Sequence, residues 1–406
     1  MKFAFVVPPL AGHVNPTLGL GAELIQRGHE VAWISLDETL ENLLPAGGRL
    51  LLVREEGGEG HRDKISQKNV YGVESIRFLY DDVLIPLNRH MSAGVEDWVD
   101  WFRPDVIVND HQLFAGAVVA WKRGIPYATS VTAPAAVKMM EDLPGVHEWE
   151  AQRIVALQQE LGIEGDRCIA CSEQMALLFT SREFFGEMVL PPAYQFVGPV
   201  VRRPAAVSSF DWDLFRRMEG RPRILVSIGT TFDHSQQLDF FRKVVAAFGG
   251  EPLSVILVSD ETLLEEWPEN FLVRRRIPQL ELLQHLDAVV CHGGHNTVCE
   301  TLTFGLPLVV LPIAYDQSHV ASRVVAAESG IRLNFKRFRP GDLRGAVWDI
   351  LREGKYRDAA KKIGASFRET GGVGRAADLL EGMKEGMSPG AKDGMSPGTK
   401  LEKMIQ

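Results

Sequence analysis

The chain has 406 residues, 45% apolar and 24% charged. That is the balance of a globular protein with room for two domains at roughly 100–200 residues each. Its formal charge of −9 excludes a nucleic-acid binder that works through clustered Lys and Arg. The four cysteines, Cys168, Cys171, Cys291 and Cys299, are too few for a disulfide scaffold and suit a reducing, cytoplasmic setting.

No apolar run reaches membrane-spanning length. The run at 3–7 is stopped by Pro8-Pro9 with no cleavage site after it, so it is predicted to be a buried strand rather than a signal peptide. A loop with Gly12 and Pro16 follows. Then come a helix over 17–27, closed by Gly28 in the left-handed conformation, and a strand at 30–35. Such a strand–helix–strand crossover builds a parallel sheet.

The pattern recurs at 105–108, 115–122 and 127–131, with Gly124 as a cap, and again at 223–228, 236–248 and 253–258. It recurs once more at 288–291, 296–304, 308–311, 318–328 and 331–334. This alternation predicts an α/β fold with parallel sheets. Cys168-Ile169-Ala170-Cys171 has CxxC spacing but no second pair nearby, and reads as buried thiols in a strand.

A Pro/Arg-rich stretch from Gly198 to Pro204, continued by polar residues to Pro222, divides the units. The expected organisation is a first domain over 1–200 and a linker over 201–221. A second domain follows over 222–382, its last helix free to return to the first. The tail at 383–406 is dominated by Gly, Pro, Ser and Lys and buries too little surface to order itself.

In doubly wound sheets, ligands bind beyond the carboxyl ends of the strands, and the unusual polar residues gather there. His13 follows the first strand and Asp110 the strand at 105–108. A histidine oriented by a buried carboxylate is a general base of fixed tautomer. His111 is the alternative, expected to point the other way along the chain. Ser227, Gly229 and Thr230 follow the first strand of the second half.

His292-Gly293-Gly294-His295-Asn296-Thr297 follows the strand at 288–291. Its glycines allow close backbone approach. Asn296 and Thr297 can cap the next helix, whose first amides attract phosphate, and His292 adds a donor. Glu300, one turn on, is placed to hold a ribose diol. Alone, the run also fits a glycine-rich turn with a capping Asn. Asp316-Gln317, at the next strand end, favours a nucleotide-sugar site, because the pair can hold vicinal hydroxyls of a hexose; Asp316 also suits a helix cap before Ser318. No metal site is expected. Asp81-Asp82 and Arg274-Arg275-Arg276 read as solvated charge. Apolar patches at 71–101 and around Met139, Met140 and Trp149 read mostly as helix core, with a minority able to line a pocket.

The run His292-Gly293-Gly294-His295-Asn296-Thr297-x-x-Glu300, with Gly305-x-Pro307, Asp316-Gln317 and the upstream Pro278-Gln279-x-x-Leu282-Leu283, resembles the donor signature of glycosyltransferase family 1. These are the UDP-glycosyltransferases of GT-B fold. Gly12-His13-Val14-Asn15-Pro16 resembles the family's catalytic-histidine loop. The resemblance covers nearly all of 1–375 and leans toward bacterial enzymes that glycosylate macrolides, polyketides, carotenoids and other natural products.

The resemblance implies two Rossmann-like domains facing across a cleft and an inverting, metal-independent hexosyl transfer. No cofactor is implied besides the nucleotide-sugar co-substrate. His13 would deprotonate an acceptor hydroxyl and Asp110 would orient it. Ser227, Gly229, Thr230, His292, Gly294, Asn296 and Thr297 would surround the diphosphate, Glu300 would hold the ribose, and Asp316 and Gln317 would hold the sugar. Ile277 and Gln279 complete the donor set.

Where many members stack a Trp on the base, this chain has Arg276. A guanidinium can also stack, so uracil and thymine both stay open, while Asp316-Gln317 favours UDP-glucose. The acceptor is expected to be a lipophilic small molecule held in the first domain, with Phe78, Met139 and Trp149 as candidate contacts. The alternatives are a dTDP-deoxysugar transferase of antibiotic biosynthesis and a non-catalytic sugar-nucleotide-binding protein. The presence of both His13 and Asp110 argues against the latter. The expected partners are these two small molecules, with no nucleic acid and no stable membrane anchor, and the chain is expected to be a monomer or homodimer.

Overall fold

The computed structural model describes residues 1–54, 73–201, 210–229 and 237–383, apart from the side chains of Val73, Met139, Met140 and Asp142. Most of the tail, residues 202–209 of the expected linker and Thr230 lie outside the described residues.

Short, nearly continuous apolar runs become strands because each is covered on both faces. In the first sheet these are β1 (Lys2–Val6), β2 (Glu30–Ser35), β3 (Arg49–Leu52), β4 (Val106–Asp110), β5 (Tyr127–Val131), β6 (Ala176–Leu178) and β7 (Tyr194–Phe196). They run parallel in the order β3-β2-β1-β4-β5-β6-β7. The second sheet holds β8 (Arg223–Ser227), β9 (Ser254–Val258), β10 (Phe271–Arg274), β11 (Ala288–Cys291), β12 (Leu308–Val310) and β13 (Gly330–Arg332). Its order is β10-β9-β8-β11-β12-β13, again parallel. Both orders reverse at the centre, between β1 and β4 and between β8 and β11. At such a point the flanking connections leave on opposite faces and open a crevice beyond the strands' carboxyl ends.

Each sheet is sandwiched between helices. Phe3, Phe5 and Trp33 fill one face of the first sheet, and Val6, Ile34 and Ile107 the other. The last helix, Gly372–Gly382, crosses back to the first sheet: Ala376, Ala377 and Leu380 bury among Phe3, Phe5, Leu20 and Leu24. Arg27 bonds Asp378 and Glu381 beside it. The later half of the expected linker is not a plain connector, because the Trp212–Arg217 helix packs Phe215 into the second sheet's core together with Phe210.

Two local expectations are corrected. The first helix spans Ala11–Gln26, so Gly12, His13 and Pro16 lie in it rather than in a loop before it. Cys168 and Cys171 are in an irregular connection ahead of β6, the former exposed and the latter half-buried, not in a strand. Among the described residues, no helix is long and apolar enough to cross a membrane.

Close approach of the first helix to the sheet depends on Gly21. A Cβ there would lie 2.2 Å from Cζ2 of Trp33. That ring cannot yield: it is fully buried, and its N–H donates to Thr17 Oγ1 at 2.9 Å. Alanine gains about 1 kcal/mol in helix propensity over glycine, but overpacking costs about 1–3 kcal/mol. Gly21→Ala is therefore expected to lower the denaturation midpoint with an unchanged slope.

Candidate active site

The chain leaves β1 through Pro8-Pro9 and enters the first helix at Ala11, which puts His13 in the first turn, at the sheet's switch point. Asp110 is the last residue of β4, the next strand over. His13 Nδ1 lies 3.0 Å from each Asp110 oxygen. The fully buried carboxylate also accepts from the Gln112 backbone N–H at 2.9 Å and the Thr132 hydroxyl at 3.0 Å. The Thr132 hydroxyl is 2.8 Å from His13 Nδ1 as well. Thr132 is not among the residues expected from sequence. Its signal is its place directly after β5, the strand paired with β4.

His111 does not point away. Its ring stacks on His13, with centroids 5.4 Å apart and planes 18° from parallel, and its Nδ1 is 3.6 Å from Asp110 Oδ1. Strand alternation ends at Asp110, where the His111 N–H bonds the Ser130 carbonyl and the chain turns. Burial alone would push His13 down, but the Asp110 carboxylate outweighs it and raises the imidazole above its ordinary 6.5. Burial would likewise raise Asp110, yet the charges of His13 and His111 and the bonds to them hold its carboxyl well below the usual range. Ligand-capable atoms of His13, Asp110 and His111 lie within 4.8 Å of one another, close enough to hold a metal ion, a grouping not expected from sequence. The carboxylate lone pairs there already serve His13, Gln112 and Thr132.

The facing corner is built at the switch point of the second sheet. After β8, Gly229 adopts a φ of +75°, and a Cβ there would sit 2.6 Å from the His292 ring. Glycine thus lets His292, just after β11, lie over this loop, where it also bonds the Ser227 backbone. Burial pushes His292 down to about 4.

The next helix spans His295–Thr303 with Gly294 as its N-cap. Asn296 and Thr297 are in its first turn rather than capping it, and the glycine N-cap has no side chain to bond the first amides. A helix N-terminus of this kind suits an anion. His295 turns away from the cleft, with Nε2 3.0 Å from the Phe179 carbonyl of the first domain. The Asn296 side chain donates to the Gly12 carbonyl at 3.0 Å, joining the two corners.

Glu300 accepts from Gln279 Nε2 at 2.5 Å, and burial raises its carboxyl to about 7. Asp316 precedes the Gln317–Ala326 helix, and its side chain caps nothing. Burial raises this carboxyl too, opposed by the charge of nearby His13. Gln317 Oε1 accepts from the Ile313 and Ala314 N–H groups at 2.9 and 3.0 Å, which leaves its amide nitrogen for other partners. Arg274 and Arg275 pair with Glu261 and Asp260, so only part of the triple-arginine run is plain solvated charge. Arg276 is exposed, and Ile277 packs on the second core.

On the acceptor side, Phe78 is buried among Val83, Leu84 and Tyr80, as core. Trp149 is half-buried, edge-on to Tyr80 at 5.9 Å and beneath the Arg153 guanidinium. The Met139 side chain lies outside the described residues.

Both halves of the chain are similar to known proteins. Residues 170–369 match the family profile "UDP-glucoronosyl and UDP-glucosyl transferase", and residues 11–193 match a glycosyl transferase 4-like domain. The demethyllactenocin mycarosyltransferase of Streptomyces fradiae is 29% identical, over 94% of this chain and 86% of its own length. The NDP-glycosyltransferase YjiC of Bacillus subtilis is 28% identical, over 94% and 97%. The crystal structure of the glycotransferase of kitacinnamycin superposes with a TM-score of 0.73 at 25% identity, covering 94% of this chain and 98% of that one. The chain is a glycosyltransferase of the GT-B type, similar over 94% of its length to bacterial glycosyltransferases and over residues 170–369 to the UDP-glucoronosyl and UDP-glucosyl transferase family.

Proposed function

We propose that the protein transfers a hexose, with inversion, from a nucleotide sugar to a hydroxyl of a lipophilic natural product, with UDP-glucose as the favoured donor. The observation that carries this is the His13–Asp110 pair joined, through the Asn296–Gly12 bond, to the first turn of the His295–Thr303 helix. With Nδ1–H donated to Asp110, the lone pair on His13 Nε2 takes the acceptor proton. The freed oxygen attacks C1 from the face opposite the diphosphate, so an α-linked donor gives a β-linked product.

Charge on the leaving diphosphate falls on the amides of Asn296 and Thr297 and on His292. The diphosphate offsets the burial that keeps His292 neutral, and so favours its charged form. These groups do the work that a divalent ion does elsewhere, so EDTA is expected to leave the rate unchanged. The natural-product relatives support the acceptor class.

Glu300 is proposed to accept from the ribose hydroxyls. With its carboxyl near 7 in the free protein, it is mostly protonated at pH 6 and mostly ionised at pH 8. The weakening of UDP binding by Glu300→Gln is therefore expected to grow with pH. It should reach about tenfold or more at pH 8, the range of bonds to charged acceptors, and only a few-fold at pH 6. Calorimetric titration at the two pH values checks this.

One observation favours a dTDP-deoxysugar instead. Gln317 commits its carbonyl oxygen to its own loop, leaving fewer groups for sugar hydroxyls. Titrating UDP and dTDP, and then assaying turnover of the matching sugars, separates the readings. Tighter UDP binding with UDP-glucose turnover supports the first, and a dTDP preference with deoxysugar turnover the second. Binding without turnover of any donor would leave a sugar-nucleotide-binding protein.

A further inference from the structure

We propose that Asn296 is a positioning residue that couples the donor helix to the His13 helix by supplying a hydrogen bond that Pro16 withholds. In a helix, the carbonyl of residue 12 accepts from the N–H of residue 16. Pro16 has none, and it lies inside the Ala11–Gln26 helix. The Gly12 carbonyl is left to another donor, which comes from the opposite domain: Asn296 Nδ2, at 3.0 Å.

The placement gives the bond a consequence. Gly12 and His13 share the peptide unit whose carbonyl is held, so the bond fixes the backbone entering the base. Asp110 and Thr132 fix its ring from the other side. Asn296 sits in the first turn of the helix whose amides face the diphosphate. Its backbone thus serves the donor site, while its side chain reaches the acceptor side. Gly12 is exposed, so water and the Asn296 side chain are alternative partners for its carbonyl, and Asn296 holds it here. Proline at 16 makes such an outside partner necessary, because an ordinary residue there would satisfy the carbonyl within its own helix.

The inference rests on reading His13 as the base, and its test separates the two. Asn296→Ala, Pro16→Ala and the double variant are compared by steady-state kinetics, UDP titration and ligand-free hydrogen exchange at 11–20. Asn296→Ala is expected to lower kcat about three- to tenfold, the size of one exchanged hydrogen bond. The Kd for UDP should stay within about twofold, and exchange at 11–20 should speed up. In the Pro16→Ala background, where the helix supplies its own donor, the same change should cost less than about twofold and leave exchange unaltered.

Equal losses in both backgrounds would overturn the coupling. So would a UDP Kd raised about tenfold at unchanged kcat, which would make the Asn296 side chain a nucleotide ligand. If the wild-type protein turns over no sugar, the reading of His13 fails and the exchange data decide alone. Faster exchange in Asn296→Ala, absent in the double variant relative to Pro16→Ala, supports the coupling, and no difference overturns it.

Discussion

His13→Ala is expected to lower kcat/KM by roughly 10²–10⁴-fold, the usual contribution of a positioned general base. The Kd for UDP should change by less than about twofold, because the loss falls on the transition state and not on donor binding. The physical ground is the geometry beyond β1 and β4. A half-buried imidazole there is held by one nitrogen on a fully buried carboxylate, which leaves the other to act. Steady-state kinetics at saturating donor, with a parallel UDP titration, give both numbers. A loss confined to UDP affinity would move His13 from chemistry to binding.

Asp110→Asn is expected to act on rate and pH profile together. The base must be neutral to accept a proton. Asp110 holds His13 above its ordinary 6.5, so in the wild-type protein kcat/KM should rise with pH through a value above 6.5. Removing the anion leaves burial, the largest influence, which disfavours the imidazolium against the opposing charge of Asp316. The acid limb should therefore move to lower pH, while the plateau falls about 10²-fold or more as the tautomer loses its anchor. A plateau loss with the limb unmoved would mean that Asp110 only supports the fold. A limb moved upward would contradict the electrostatic assignment outright.

Much of this was readable in the residues because the strands of a doubly wound sheet are short apolar runs. Phe3, Val108, Leu225 and Val289 need no partner information to read as strand. The polar residues after those runs then fall at strand ends by topology alone. Where the reading departed from the structure, tertiary contacts decided. Gly12 and Pro16 signal a loop locally, yet the helix runs through them, and the Gly12 carbonyl is met by the Asn296 side chain from far along the chain. The apolar letters at 168–171 suggest a strand, yet the place beside β5 is taken by β6. His111 lies one residue past the strand, where alternation no longer applies, so its stacking on His13 could not be read from period. Thr132 was within reach of the strand-end rule. Phe78 was not separable from pocket lining, because burial depends on how the helical segments between β3 and β4 pack.

Resolving the stereochemistry of transfer bears most directly on the central claim, that His13 activates an acceptor for a single in-line displacement. The protein would be incubated with UDP-α-glucose and a pool of polyphenol and macrolide acceptors. The product would be identified by mass and its anomeric configuration read by NMR, with His13→Ala alongside. A β-linked hexoside that His13→Ala suppresses is the expected result. An α-linked product, or β-linked product formed as fast without His13, would contradict the account.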